Sequence, residues 1–157
     1  MKKLQLSIFI IFLVNIALIY AVDLMTLKLS PNKLLSGNGN PALILIGLEI
    51  LAFLSLVISL FFIKSQQLEQ LSKKKGIYII LIIIFMFCGY MAYAKATGIF
   101  MSLSERLEWG EYALLNIYTN TAFVNYYTLL MGVIICIVIK LLLMKFISVN
   151  KVGNKQR

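Results

Sequence analysis

Four apolar stretches, at residues 4–22, 41–63, 76–94 and 128–147, constrain this chain more than any other feature of its sequence. Each reaches the roughly 20 residues that a helix needs to cross about 30 Å of hydrocarbon. Lipid offers no partner to backbone N–H and C=O groups, so runs of this length read as helices. The composition agrees: of 157 residues, 61% are hydrophobic and 13% charged, which leaves too few polar side chains to cover a water-soluble surface. The sequence therefore predicts an all-α polytopic membrane protein, a single integral domain over residues 1–157 with four transmembrane helices.

Met1-Lys2-Lys3 followed by apolar residues is also how a secretory signal begins. The apolar core is longer than a signal's, and cleavage after Ala21 would place Ile19 where a small residue is needed. The first run is therefore expected to remain as a membrane helix. Between the first two runs, Ser30-Pro31-Asn32 and the stretch from Ser36 to Pro41 are dense in turn-forming residues. The connection at 64–75 is short and basic, with Leu68 and Leu71 spaced to add a little helix at the lipid surface.

Basic residues set the expected orientation. With a cytoplasmic N-terminus, ten Lys or Arg lie inside (Lys2, Lys3, Lys64, Lys73, Lys74, Lys75, Lys145, Lys151, Lys155 and Arg157) against four outside (Lys28, Lys33, Lys95 and Arg106). That bias favours both termini in the cytoplasm and a location in a cell (inner or cytoplasmic) membrane. Tyr20, Tyr90, Tyr93, Tyr126 and Tyr127 then fall at the outer interface, where a ring is buried while its hydroxyl stays wet. In the outer loop at 95–127, Ser102 and Glu105 have capping-box spacing, and Leu103, Leu107, Gly110, Leu114 and Ile117 share one helical face. A short amphipathic helix is expected over about 103–118, anchored by Trp109. Its carboxylates Glu105, Glu108 and Glu111 lie along one side and, with Trp109, form the candidate partner surface.

Polar groups inside a membrane are expensive and therefore candidate sites. Asn15, Glu49 and Lys140 are the three. Counted along the helices, Asn15 and Glu49 lie at nearly one depth and Lys140 somewhat nearer the cytoplasm. An isolated carboxylate there costs several kcal/mol, so the expectation is an ion pair of Glu49 with Lys140, Asn15 hydrogen-bonding the carboxylate. Other readings are a lone Glu49 that is neutral or reached by water, a transport site, and a Lys140 that extends toward the inner headgroups beside Lys145. Thr128, Gly132 and Cys136 precede Lys140 at four-residue spacing, a small-residue ridge expected to face another helix. Cys88, Ala92 and Ala96 form a second.

The chain contains no histidine, which removes the usual haem ligand, most zinc sites and any Ser-His-Asp or Cys-His nucleophile. Cys88 and Cys136 read as small core residues. No catalytic residue, metal ligand or cofactor site is expected, and the basic residues, placed between apolar runs, speak for topology rather than nucleic acid. The abundance of Ile, Leu and Lys, with no Asn-x-Ser/Thr acceptor in the outer loops, suits a bacterial protein. The expected partners are the lipid bilayer and a protein partner or further copies of the chain. The leading expectation is a non-enzymatic membrane protein acting through such contacts: bacteriocin or toxin immunity, a membrane sensor in phage defence, or an accessory subunit. The alternative is a small oligomeric channel or transporter using Glu49 and Lys140.

Overall fold

The computed structural model describes residues 2–28, 39–63, 66–105 and 114–153. All regular structure among them is helical: α1 (Lys2–Met25), α2 (Ala42–Phe62), α3 (Gln66–Ser72), α4 (Lys75–Ser104), α5 (Asn120–Phe123) and α6 (Tyr126–Gly153). Helices α1, α2, α4 and α6 are each long and apolar enough to cross a membrane. They leave large apolar side chains such as Ile44, Phe62, Met86 and Phe146 exposed, a distribution that hydrocarbon tolerates and water does not. The protein is a four-helix membrane protein.

The inward stripe of α1 carries Asn15, Ile19 and Val22, and that of α2 carries Ala42, Ile46 and Leu56, all buried. The spacings, four and three residues in α1 and four and ten in α2, keep each set on one helical face, turned toward the other helix. The two helices form the most extensive pairing, antiparallel, with Val22, Ala42 and Ile46 in one cluster backed by Leu45 and Val124. A second antiparallel pair, α4 with α6, is joined to the first where α2 meets α6. The order around the bundle is α1, α2, α6, α4. At one end α3 packs against α6; at the other α5 packs against α4, where the Phe100 and Phe123 rings meet edge-on at 6.1 Å.

Gly132 permits the contact between the pairs. A Cβ on this residue would lie 2.6 Å from Cζ of Phe53, so the α2 ring occupies the space that glycine leaves open on α6. Small residues let membrane helices approach in this way. The ridge containing Gly132 and Lys140 thus faces α2.

Some boundaries differ from those read in the sequence. Helix α4 continues ten residues past Ala94 to Ser104, because residues 95–104 contain no proline and the hydroxyls of Thr97 and Ser102 are satisfied within the helix, donating to Tyr93 O (2.8 Å) and Gly98 O (2.9 Å). Ser102 therefore lies inside α4 rather than at the start of a new helix, and Glu105 follows as the C-cap of α4. Half of the outer helix expected over 103–118, including Glu108, Trp109 and Glu111, lies outside the described residues. Of its flanks, Leu103 and Ser104 complete α4 and residues 114–118 are bends and turns. Helix α6 begins two residues before Thr128, and the Leu68 and Leu71 segment is the helix α3.

Gly132→Leu is expected to lower stability in detergent by about 1–3 kcal/mol through overpacking. On that background Phe53→Leu should recover part of the loss. Thermal unfolding of the single and double variants measures it, and equal losses in both would exclude the contact.

Candidate functional site

Helix α2 ends at Phe62 with neither a basic residue in its last turn nor a glycine after it; its C-cap is Ile63, in extended conformation. The last carbonyls of a helix have no partner within it and form the negative end of its dipole. Lys140 of α6 supplies the missing donor. Its side chain is buried, and Nζ donates to Leu60 O, Ile63 O and, at 3.2 Å, Phe61 O. The ammonium is a cap provided by another helix, where a cation is favoured both by hydrogen bonding and by the dipole.

This arrangement corrects the expected pair of Glu49 with Lys140. The carbonyls that hold the ammonium lie 11 or more residues beyond Glu49, about 16 Å along α2. The earlier start of α6 places Lys140 about 3 Å deeper than the sequence count, and its side chain extends farther the same way. Glu49 lies on the inward stripe between Ile46 and Phe53, half-buried, with no ion pair or hydrogen bond among the described residues. Asn15 is fully buried, but its Nδ2 donates to Ile11 O of its own helix at 2.8 Å and its Oδ1 has no partner. The three intramembrane polar residues therefore do not form one site.

A second polar group, not singled out in the sequence, closes the α5 end. Thr119, Asn120, Thr121 and Asn125 are buried there. Asn40, just ahead of α2, and Asn120 exchange amide hydrogen bonds, each Nδ2 donating to the other's Oδ1 at 2.7 and 3.0 Å. Asn125 caps α6: its Oδ1 accepts from the Tyr127 and Thr128 amides at 3.0 and 3.1 Å, while its Nδ2 donates to Thr121 O at 3.1 Å. Asn116 and Thr119 close the preceding turn, with Asn116 Oδ1 accepting from Tyr118 N and the Thr119 hydroxyl donating to Leu114 O, both at 2.8 Å. The Leu27 amide joins α1 to this cap through Ile117 O at 2.9 Å. The available signal was the density of Asn and Thr, six between 116 and 128, in a stretch without glycine or proline: these side chains replace backbone partners where a helix is not formed.

Of the proposed partner surface, Glu105 is exposed at the end of α4. Among the described residues no three His, Cys, Asp or Glu are grouped to hold a metal ion, and Cys88 and Cys136 are free thiols on α4 and α6. Fold and polar groups together define a multi-pass α-helical membrane protein whose packed helices are tied at both ends by side-chain hydrogen bonds. Comparison with protein-family models, with curated proteins and with solved structures finds no match.

Lys140→Met leaves the carbonyls of α2 without their donor and is expected to lower stability by about 1–3 kcal/mol. Its effect should add to that of Glu49→Gln within about 0.5 kcal/mol, as for groups this far apart. A larger coupling in unfolding of the double variant would restore the direct ion pair. In a separate cycle, Asn40→Ala and Asn120→Ala should be non-additive by about 1 kcal/mol, since either change alone breaks the same amide pair.

Proposed function

We propose that this chain is a non-enzymatic bacterial membrane protein that acts by presenting its α5 end to a protein partner at the outer face of the cytoplasmic membrane. One observation carries the reading. The cap over residues 114–125 is held from beneath by buried Asn and Thr side chains, yet Leu114 remains 58% exposed and Leu115 37%. Apolar side chains fixed on a pre-ordered surface lose little conformational freedom when a partner covers them, which favours recognition. Glu105, exposed at the end of α4, adds negative charge to the same end of the bundle. Exposed Tyr20, Tyr90 and Tyr93 mark an interfacial belt near that end.

The orientation rests on the ten-to-four distribution of basic residues. The fold is compatible with it, because α3, the start of α1 and the end of α6 share the end opposite α5. Immunity to a secreted bacteriocin or toxin, sensing in phage defence and an accessory role in a membrane complex all use such a surface. A channel or transporter built on Glu49 and Lys140 has less support, since the Lys140 ammonium is engaged by α2.

A photo-crosslinking residue at Leu114 should capture a discrete partner in the native host, while one at Lys74 should not capture that partner. Replacing Glu105, Glu108 and Glu111 together with Gln should weaken capture and leave membrane insertion intact. With Cys88 and Cys136 replaced by alanine, a cysteine at Leu114 should react with an impermeant thiol reagent in intact cells and one at Lys74 should not. A chain that is monomeric and partner-free in its native membrane, and that conducts ions by itself when purified, would instead establish the channel.

A further inference from the structure

The order of helices around the bundle leaves one side open. Helices α1 and α4 run parallel without an extended interface among the described residues, each packing chiefly on its antiparallel partner. Toward the α5 end of this open side lies a cavity of about 420 Å³, lined by Asp23, Thr26 and Lys28 at the end of α1 and by Lys95, Gly98 and Ser102 on α4. Asp23 lies 21 residues after the first residue of α1 and Lys95 lies 20 after that of α4. At the helical rise both stand about 30 Å from the opposite face, one hydrocarbon thickness. Two independent counts thus put the cavity at the level of the lipid headgroups.

Its charges are mixed. Lys95 Nζ and Asp23 Oδ1 are 4.0 Å apart, with side chains 36% and 49% exposed, a long pair open to a third group. Lys28 adds a second cation, on the α1 side of the cavity with Asp23. Gly98 makes the room: a Cβ there would meet nothing within 4 Å. Glycine within a helix is unfavourable relative to alanine, and no neighbouring side chain uses the space it leaves.

We propose that this cavity binds the head group of a zwitterionic phospholipid that carries a primary ammonium. The phosphate lies against Lys95 and Lys28, the ammonium donates to Asp23, and the acyl chains run down the open side between α1 and α4. A choline head group has no N–H to donate to Asp23, and an anionic glycerol head group places no cation there. The apolar lining by Leu27 and Ile99 and the open side beneath suit a lipid rather than a water-soluble phosphate ester. The site does not depend on which side of the membrane the α5 end faces.

Purified full-length protein, supplied with equal amounts of phosphatidylethanolamine, phosphatidylcholine and phosphatidylglycerol, would be examined by native mass spectrometry. One phosphatidylethanolamine should be retained preferentially. Asp23→Asn should abolish the preference over phosphatidylcholine, and Lys95→Gln should reduce retention about ten-fold, the scale of one charge-assisted hydrogen bond. Gly98→Leu should fill the cavity and expel the lipid while helicity and unfolding temperature are kept. Both charge changes are at partly exposed side chains, so they test the site even if the leucine variant fails to fold. Equal retention of the three lipids by the unaltered protein, or unchanged selectivity in Asp23→Asn, would overturn the proposal. So would displacement of the lipid by soluble phosphoethanolamine in excess, which would assign the cavity to a water-soluble ligand.

Discussion

Hydrocarbon gives a peptide group nothing to bond to, and this constraint organises the whole molecule. Within a helix the backbone meets it alone; at helix ends it cannot, and four N–H groups are left over at the start and four C=O groups at the finish. Here other parts of the chain provide many of the missing partners. The end of α2 receives the Lys140 ammonium, the start of α6 receives the Asn125 amide, and the approach to α2 is fixed by Asn40 against Asn120. The polar side chains in this apolar protein are concentrated where the backbone runs out of its own bonds.

Packing between the helices then needs only shape. Lipid tails are as apolar as leucine, so association within the bilayer depends on close approach rather than on exclusion of water. The Phe53 ring over Gly132 is one such approach, and the Val22, Ala42 and Ile46 cluster another. They hold α1, α2 and α6 together, while α4 depends on α6 and α5.

The four spanning helices were legible because hydropathy and length respond to one solvent, the bilayer, whatever the helices later touch. The ridge through Gly132 was legible for a similar reason: small residues at four-residue spacing announce an approach without naming the partner. Three features were not. The end of α4 was hidden because residues 95–104 are polar enough to suggest a loop, although Thr97 and Ser102 bond back into the helix. The partner of Lys140 was hidden because opposite charge pointed to Glu49, whereas the nearest negative potential belongs to the backbone of α2, which no residue count reveals. The Asn and Thr cap was hidden because each of its residues is ordinary in a loop, most of its bonds are local, and the contacts that reach distant segments, Asn40 with Asn120 and Leu27 with Ile117, leave no spacing to read.

Both locks on α2 reach across the same interval. Asn120 is 80 residues after Asn40, and Lys140 is 80 residues after Leu60. A ribosome adding about 5–20 residues per second takes roughly 4–16 seconds to cover that distance. During synthesis, then, α2 is in place well before either of its ends has its partner, and Asn120 and Lys140 complete a helix made 80 residues earlier.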